Sequence, residues 1–316
     1  MNQPLVSVVI ACYNAGRYLP ETLNSALAQT YPSCEIIVVD DGSTDDTVSR
    51  MQPYLERIHF LRIAHGGLAA ARNAGLRIAS GDYIALLDAD DLWLPEKLSV
   101  QVAIARKNSA SGMIVCDGEE FGSKLSRSYL ISGSAADAMR RSGTGEFTRQ
   151  FHREFIRHFN IRCPAQTLLP RSVVSEIGPF ANFDAQDYDY YLRVSARFPV
   201  TFHAHSLVRC RDREDSMSGP AVLRDLNWSR KKLRVLRTYA RVCQAPYRMH
   251  LENQITWNRA EVMFHYGELF NRPRALRGLL SLLRRKLWPP VALPFLAAHA
   301  APRWARMAHK TWRERP

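Results

Sequence analysis

No stretch of this 316-residue chain reaches the ~20 uninterrupted apolar residues that a membrane-spanning helix needs. The N-terminus also lacks the basic start and small-residue cleavage site of a secretory signal, and LVSVVIAC is a short run that leads into a loop. The six cysteines (Cys12, Cys34, Cys116, Cys163, Cys210, Cys243) are scattered, with no CxxC pair. That spacing argues against a zinc ribbon or a disulfide framework and fits a reducing compartment, so the expected location is the cytoplasm. No internal repeat is visible, and nothing in the composition points to disorder or a fibre. The ten histidines show no metal-ligand spacing. Acidic residues thin out towards the end: residues 221–316 hold 5 Asp/Glu against 20 Lys/Arg, whereas residues 1–220 hold 25 against 23. We therefore read residues 1–220 as a near-neutral unit and 221–316 as a basic helical region that seeks an anionic partner.

What is present begins with alternation. Apolar runs at Val6–Ala11, Glu35–Val39, Ile58–Ile63 and Tyr83–Leu87 predict strands. Between them, Leu19, Leu23, Ala26 and Leu27, then Val48, Met51 and Leu55, then Leu68, Ala71, Gly75 and Ile78 recur at helical spacing. A β-α-β-α-β-α-β order implies an α/β fold, with a mostly parallel sheet covered by helices on both faces. Ligands in such sheets bind beyond the carboxyl ends of the strands. Tyr13–Asn14, Asp40–Thr44, His65–Gly67 and Asp88–Asp91 all fall there, so they should converge. A further strand is expected near Met113–Cys116, then a mobile loop towards residue 165. Helices are expected around Leu226–Tyr239 and Ile255–Phe270.

Four clusters carry chemistry. LLDADDLW puts Asp88, Asp90 and Asp91 directly after a strand. Three carboxylates within four residues repel one another, and a hard divalent cation bridging a diphosphate resolves that repulsion. A solvated turn with a helix cap is the plainer alternative. VVDDGSTDDT offers Asp40 and Asp41 to a base N–H or a ribose hydroxyl, alongside a Ser43 or Thr44 cap. GGLAAARNAG supplies Gly66 and Gly67 for close backbone approach, and Arg72 for a nucleobase or phosphate; taken alone, that arginine reads better as a surface residue on an amphipathic helix. FDAQDYDYYLRV sets Asp187 and Asp189 among tyrosines at the start of a helix. They suit a general base with a raised pKa, and equally a helix N-terminus complementing the macrodipole.

The strings VSVVIACYNAGRYLPETLNSALAQTYPSCEIIVVDDGSTDDT, ARNAGLRIASGDYIALLDADDLWLPEKL and IGPFANFDAQDYDYYLRVSARFP resemble successive blocks of the family 2 glycosyltransferases, which have the GT-A fold. The resemblance spans roughly residues 5–215. It implies inverting transfer from a nucleotide-diphosphate sugar with Mn²⁺ or Mg²⁺. It also implies donor binding by Ala11, Tyr13, Asp41, Arg72 and Asp88, metal at Asp90 and Asp88, and Asp187 as general base. Two features depart from the family pattern. Gln186 stands where a glutamate usually precedes the base, and CRDREDSMS replaces a stretch that often carries a histidine. Arg211 and Arg213 are therefore candidates for diphosphate contact, with Asp189 and Asp91 as further candidate contacts.

The expected function is transfer of a sugar from a UDP or dTDP donor to a glycan or lipid-linked acceptor, in surface polysaccharide or lipopolysaccharide synthesis. A sugar nucleotidyltransferase would need a Gly-rich basic loop after the first strand, where only Gly16 and Arg17 occur. A non-catalytic binding protein on the same scaffold would have lost the DxD pair or the base, and both are present. In the basic region, Trp228, Trp257, Trp288, Trp304 and Trp312 interleave with arginine. We read this as peripheral attachment to the inner face of an anionic membrane rather than nucleic-acid binding.

Overall fold

The computed structural model describes residues 3–122, 130–131, 133–157, 161–213, 224–241, 243 and 245–269. Two compact units divide the chain, Met1–Arg213 and Glu214–Pro316.

The first unit opens with β1 (Val6–Cys12), α1 (Leu19–Leu27), β2 (Cys34–Asp40), α2 (Thr47–Met51), β3 (His59–Arg62), α3 (Leu68–Ile78) and β4 (Tyr83–Asp88). β1 pairs in parallel with β2 and β4, and β3 adds to the outer edge of β2. The strands expected from the apolar runs are these four. The second helix is shorter than its spacing suggests. It gives way at Gln52–Arg57 to a 3₁₀ turn containing Pro53, and Leu55 is exposed there. Proline has no N–H to continue an α-helix.

The chain continues through β5 (Leu92–Trp93), α4 (Lys97–Lys107), β6 (Met113–Phe121), α5 (Gly133–Arg141), β7 (Glu146–Arg149) and α6 (His152–Arg157). It then runs through β8 (Thr167–Pro170), α7 (Arg171–Ile177), α8 (Gln186–Arg197) and β9 (Val200–Arg211). The sheet order is β3-β2-β1-β4-β8-β6-β9-β5, with β7 pairing to β9. Beyond β4 the sheet is mixed: β8, β5 and β7 pair antiparallel, while β6 and β9 run parallel. The segment expected to be a loop up to residue 165 instead carries α5, β7 and α6, although 123–129, 132 and 158–160 lie outside the described residues.

The two faces of β1 explain the layering. Val6, Val8 and Ile10 share one core with Leu19 and Leu23 of α1 and Leu98 and Val102 of α4. Val9, on the opposite face, meets α3, where a Cβ on Gly75 would lie 2.4 Å from Val9 Cγ1. Only a glycine lets α3 approach this closely, and that approach sets how far Arg72 reaches.

The second unit contains α9 (Arg224–Tyr239) and α10 (Ala245–Leu269), which pack together. Leu233, Val235, Leu236, Leu251 and Ile255 are buried there. No described helix is long and apolar enough to cross a membrane. The proline-broken run near 287–301, with Trp288, Trp304 and Trp312, lies outside the described residues.

Candidate active site

The carboxyl ends of β1, β2 and β4 lie side by side, because their register pairs Cys12 with Asp40 and Ala11 with both Val39 and Asp88. Ala11 is buried between its neighbours, and the small side chain leaves room above the strand ends. The loop after β2 is tied down by side chains. Asp40 accepts from the Ser43 N–H at 3.1 Å and pairs with Arg62 at 3.1 Å. Asn14, left-handed at φ 48°, accepts from the Thr44 N–H at 2.8 Å.

Asp41 is almost fully buried, and its two oxygens accept from the Gly66 and Gly67 N–H groups at 2.8 and 2.9 Å. Gly67, at φ 87°, supplies a conformation that other residues rarely adopt and caps α3. His65 Nδ1 lies 2.9 Å from the same carboxylate, and its ring lies against Tyr13 at 4.3 Å between centroids. Both rings are largely exposed. Asp41 thus organises a small aromatic shelf at the sheet's edge.

At the end of β4, Arg72 reaches from α3 to Asp88 at 2.7 Å. Arg72 is buried, so this guanidinium is no surface group. It also lies near the Phe180 ring, 5.6 Å from its centroid. Asn73 fixes that segment by donating to Phe180 O at 2.9 Å and accepting from Phe180 N–H at 2.8 Å. Asp90 pairs with Arg213 at 2.9 Å, and its backbone carbonyl accepts from Arg211 Nε at 2.9 Å. Burial, and then the charge of Asp88, push the Asp90 carboxyl above its ordinary range, with Arg213 and Arg211 pulling the other way. Arg211 also bonds Glu21, and both arginines lie over Tyr18.

Asp91 points inwards. It is buried, accepts from the Arg211 N–H at 2.8 Å and lies with the Cys163 and Cys210 thiols within 4.8 Å. Burial raises both thiols, so they remain protonated and serve as hydrogen-bonding groups. Asp91 therefore fastens the end of β9 beneath the site.

Asp187 enters on the first turn of α8. Ala185 just before it is left-handed at φ 60°, a conformation that costs an alanine about 1 kcal/mol or more. The turn aims Asp187 towards the Arg72–Asp88 pair, and the carboxylate keeps partial exposure. Burial raises its pKa, against the opposing pull of Arg72 and of the Tyr188 N–H, which donates at 2.9 Å. Asp189, two residues on, is buried and paired with Arg193 at 2.9 Å, whose guanidinium also donates to Ile177 O and Pro179 O. That pair holds α8 to the segment that carries Phe180.

The family model for glycosyl transferase family 2 matches residues 7–178. This chain belongs to that family. Among curated family relatives, an uncharacterized glycosyltransferase of Rickettsia felis is 30% identical over 66% of the chain and 34% of its own length. The putative teichuronic acid biosynthesis glycosyltransferase TuaG of Bacillus subtilis is 42% identical over 34% of the chain and 45% of its own length. In Escherichia coli, UDP-Glc:alpha-D-GlcNAc-diphosphoundecaprenol beta-1,3-glucosyltransferase WfgD is 39% identical over 36% and 46%. The matches thus span less than half the length of these relatives. Among solved structures, S. aureus TarS 1-349 in complex with UDP-GlcNAc superposes with a TM-score of 0.62 at 19% identity, over 87% of this chain and 79% of that one. Mannosyltransferase PcManGT from Pyrobaculum calidifontis, in complex with GDP-Man and Mn²⁺, gives 0.60 at 19% identity, over 97% and 83%. These likenesses show the GT-A-like fold, a curled mixed sheet flanked by helices.

Within this family frame, the fold brings Tyr13, Asp41, Arg72, Asp88, Asp90, Arg211 and Arg213 to one end of the sheet, with Asp187 facing Arg72 and Asp88. His65 is among the strand-end residues expected to converge, but nothing in its spacing marks its stacking on Tyr13. One residue escaped the sequence reading. Tyr18 lies beneath both arginines although nearly 200 residues separate them in sequence.

Proposed function

We propose that this family member is an inverting, divalent-metal-dependent glycosyltransferase acting on a UDP or dTDP sugar. Its acceptor is a hydroxyl of a glycan or lipid-linked carrier in surface polysaccharide or lipopolysaccharide synthesis. The observation that carries this reading is the meeting of Asp88, Arg72 and Asp187 from three distant segments. The diphosphoundecaprenol-linked acceptor of WfgD and the putative role of TuaG in teichuronic acid biosynthesis support the acceptor class.

The geometry supports the following residue roles. Tyr13 and His65 offer a stacking surface for the base, and Asp41 holds that shelf and the turn into α3 in place. Asp88 and Asp90 are side chains about a quarter exposed, oxygen donors of the type that Mg²⁺ and Mn²⁺ take. Two partly exposed carboxylates two residues apart, each drawing an arginine, form an oxygen donor set that a cation would neutralise, so the residues fit the metal. A bound divalent cation supplies charge neutralisation to a departing diphosphate. Arg213, now on Asp90, is placed to exchange that carboxylate for phosphate oxygens, which arginine grips as a fork.

Asp187 accepts the proton of the acceptor hydroxyl as that oxygen attacks the anomeric carbon opposite the leaving diphosphate. Its elevated pKa makes it a stronger base than a solvated aspartate. Arg72 keeps the neighbouring Asp88 neutralised, so that Asp187 does not face a bare second carboxylate. One displacement inverts the centre and needs no enzymic nucleophile.

Thermal denaturation with UDP, dTDP, GDP and CDP, each with and without Mn²⁺, tests the donor site. A nucleotide at about a hundred times its Kd adds ~2.7 kcal/mol. At roughly 2–4 °C per kcal/mol, the melting temperature rises by several degrees. UDP or dTDP should produce that rise only with Mn²⁺, and Asp90→Ala should abolish it. An equal rise without metal refutes metal dependence, and no rise with any nucleotide refutes the donor site.

A further inference from the structure

The C-terminal unit contains a second built feature. On α9, Arg230, Arg234 and Arg237 are exposed, and Arg241 follows in the turn beyond the helix. Spacings of four, three and four residues put them on one stripe, about 16 Å long at 1.5 Å per residue. With Thr238 they line a groove of about 310 Å³, whose remaining wall is Leu233 and Val262 of α10. Among the described residues, no acidic side chain lines it. Like charges at these spacings repel along a helix, and anions laid across the stripe relieve that repulsion.

We infer that this groove docks the chain on a bilayer of anionic phospholipid, its arginines gripping headgroup phosphates. The charge of the groove is complementary to such a surface and fits the whole region, where 20 Lys/Arg face 5 Asp/Glu over residues 221–316. The stripe is too long for one phosphate and matches several headgroups in a row. Among the described residues its lining is aliphatic and polar with no aromatic ring, whereas single-stranded nucleic acid is held on aromatic stacking platforms. This inference stands apart from the transferase reading, since none of these residues belongs to the site on the sheet.

Vesicle flotation with the full chain tests it. Vesicles of phosphatidylcholine containing phosphatidylglycerol should carry the protein, and phosphatidylcholine alone should not. Replacing all four residues by glutamine (Arg230→Gln, Arg234→Gln, Arg237→Gln, Arg241→Gln) should weaken binding by roughly several hundredfold, at about fivefold per charge. Replacing the same four by lysine should keep binding within about tenfold. Circular dichroism checks that both variants fold, and the pair Arg234→Gln with Arg237→Gln serves if the fourfold glutamine variant does not. Three results overturn the proposal: no preference for anionic vesicles, full binding by the glutamine variants, or displacement from vesicles by equimolar single-stranded RNA. Full binding by those variants would assign attachment to residues outside the groove.

Discussion

Asp187 occupies a position that a helix-capping role does not explain. Its Oδ1 accepts from the Tyr188 N–H, a bond any first-turn aspartate makes, yet the carboxyl is raised by burial and lies within the field of Arg72 and Asp88. A residue serving only the macrodipole gains ~0.3–1 kcal/mol and has no need of that company. Asp187→Asn keeps the shape and the acceptor oxygen but cannot take a proton. We expect sugar transfer to fall by about 10²- to 10⁴-fold, with the nucleotide-induced rise in melting temperature unchanged. Nucleotide release in the presence of acceptor measures the first, and thermal denaturation the second. Near-normal turnover in the variant would remove Asp187 from the mechanism. Asp189 makes the contrast: its ion pair with Arg193 fixes α8, so its replacement should act on stability.

At the scale of the element, α3 is the part whose placement matters most, because it carries Arg72 and Asn73 and begins at the Gly67 cap. Its distance from the sheet is set by Gly75 against Val9 and Val39, both buried and β-branched. Gly75→Ala gains about 1 kcal/mol of helix propensity. The new Cβ, however, sits 2.4 Å from Val9 Cγ1 and 3.3 Å from Val39 Cγ2. Overpacking of that kind costs ~1–3 kcal/mol, so the loss wins. We expect a lower melting temperature and, because α3 shifts outward with Arg72, a weaker nucleotide response. A variant as stable as the parent would show that the α3–sheet contact has slack.

The same elements show what was legible from sequence. β1, β2, β4 and α1 to α3 could be read because buried parallel strands are continuous apolar runs and their helices keep a 3.6-residue period. The short edge strand β3 showed only through the flanking Ile58 and Ile63. β5 has two residues and β8 has four, too short for any period to register. β9 is long, but its pairing to β6 shifts register twice near Asp117, so alternation fails around His203–Ser206. The carboxylates of the site were legible by type and by their place at strand ends. Arg72, Arg211 and Arg213 were candidates as well, but which carboxylate each meets was not legible, because Arg213 reaches Asp90, and the Arg211 N–H reaches Asp91, only through the path of β9 and the residues after it.

For the whole molecule, acid sensitivity follows from where the first unit keeps its histidines. His152 and His203 are both buried, with pKa values lowered to about 4 and about 3 by burial. His152 Nδ1 lies 3.0 Å from Ser195 Oγ, and His203 Nδ1 lies 3.2 Å from His205 Nδ1, a contact that two protonated rings would not keep. In the unfolded chain both protonate near 6.5. Between that value and about 4 the unfolded state binds more protons than the folded one, so stability rises with pH and is lost on acidification. The raised aspartates Asp187 and Asp189 act in the opposite sense, binding protons earlier in the folded state than at the ordinary value of 3.8. A simple melting curve against pH therefore mixes the two. Comparison with His152→Asn, which keeps a polar atom towards Ser195, isolates one histidine. From pH 6.5 to 5 the parent should lose about 1.5 kcal/mol more than the variant, a difference of several degrees in melting temperature. Parallel melting curves for parent and variant over that range would mean that His152 is protonated inside the fold, and the acid sensitivity would then belong to His203 or to the carboxylates.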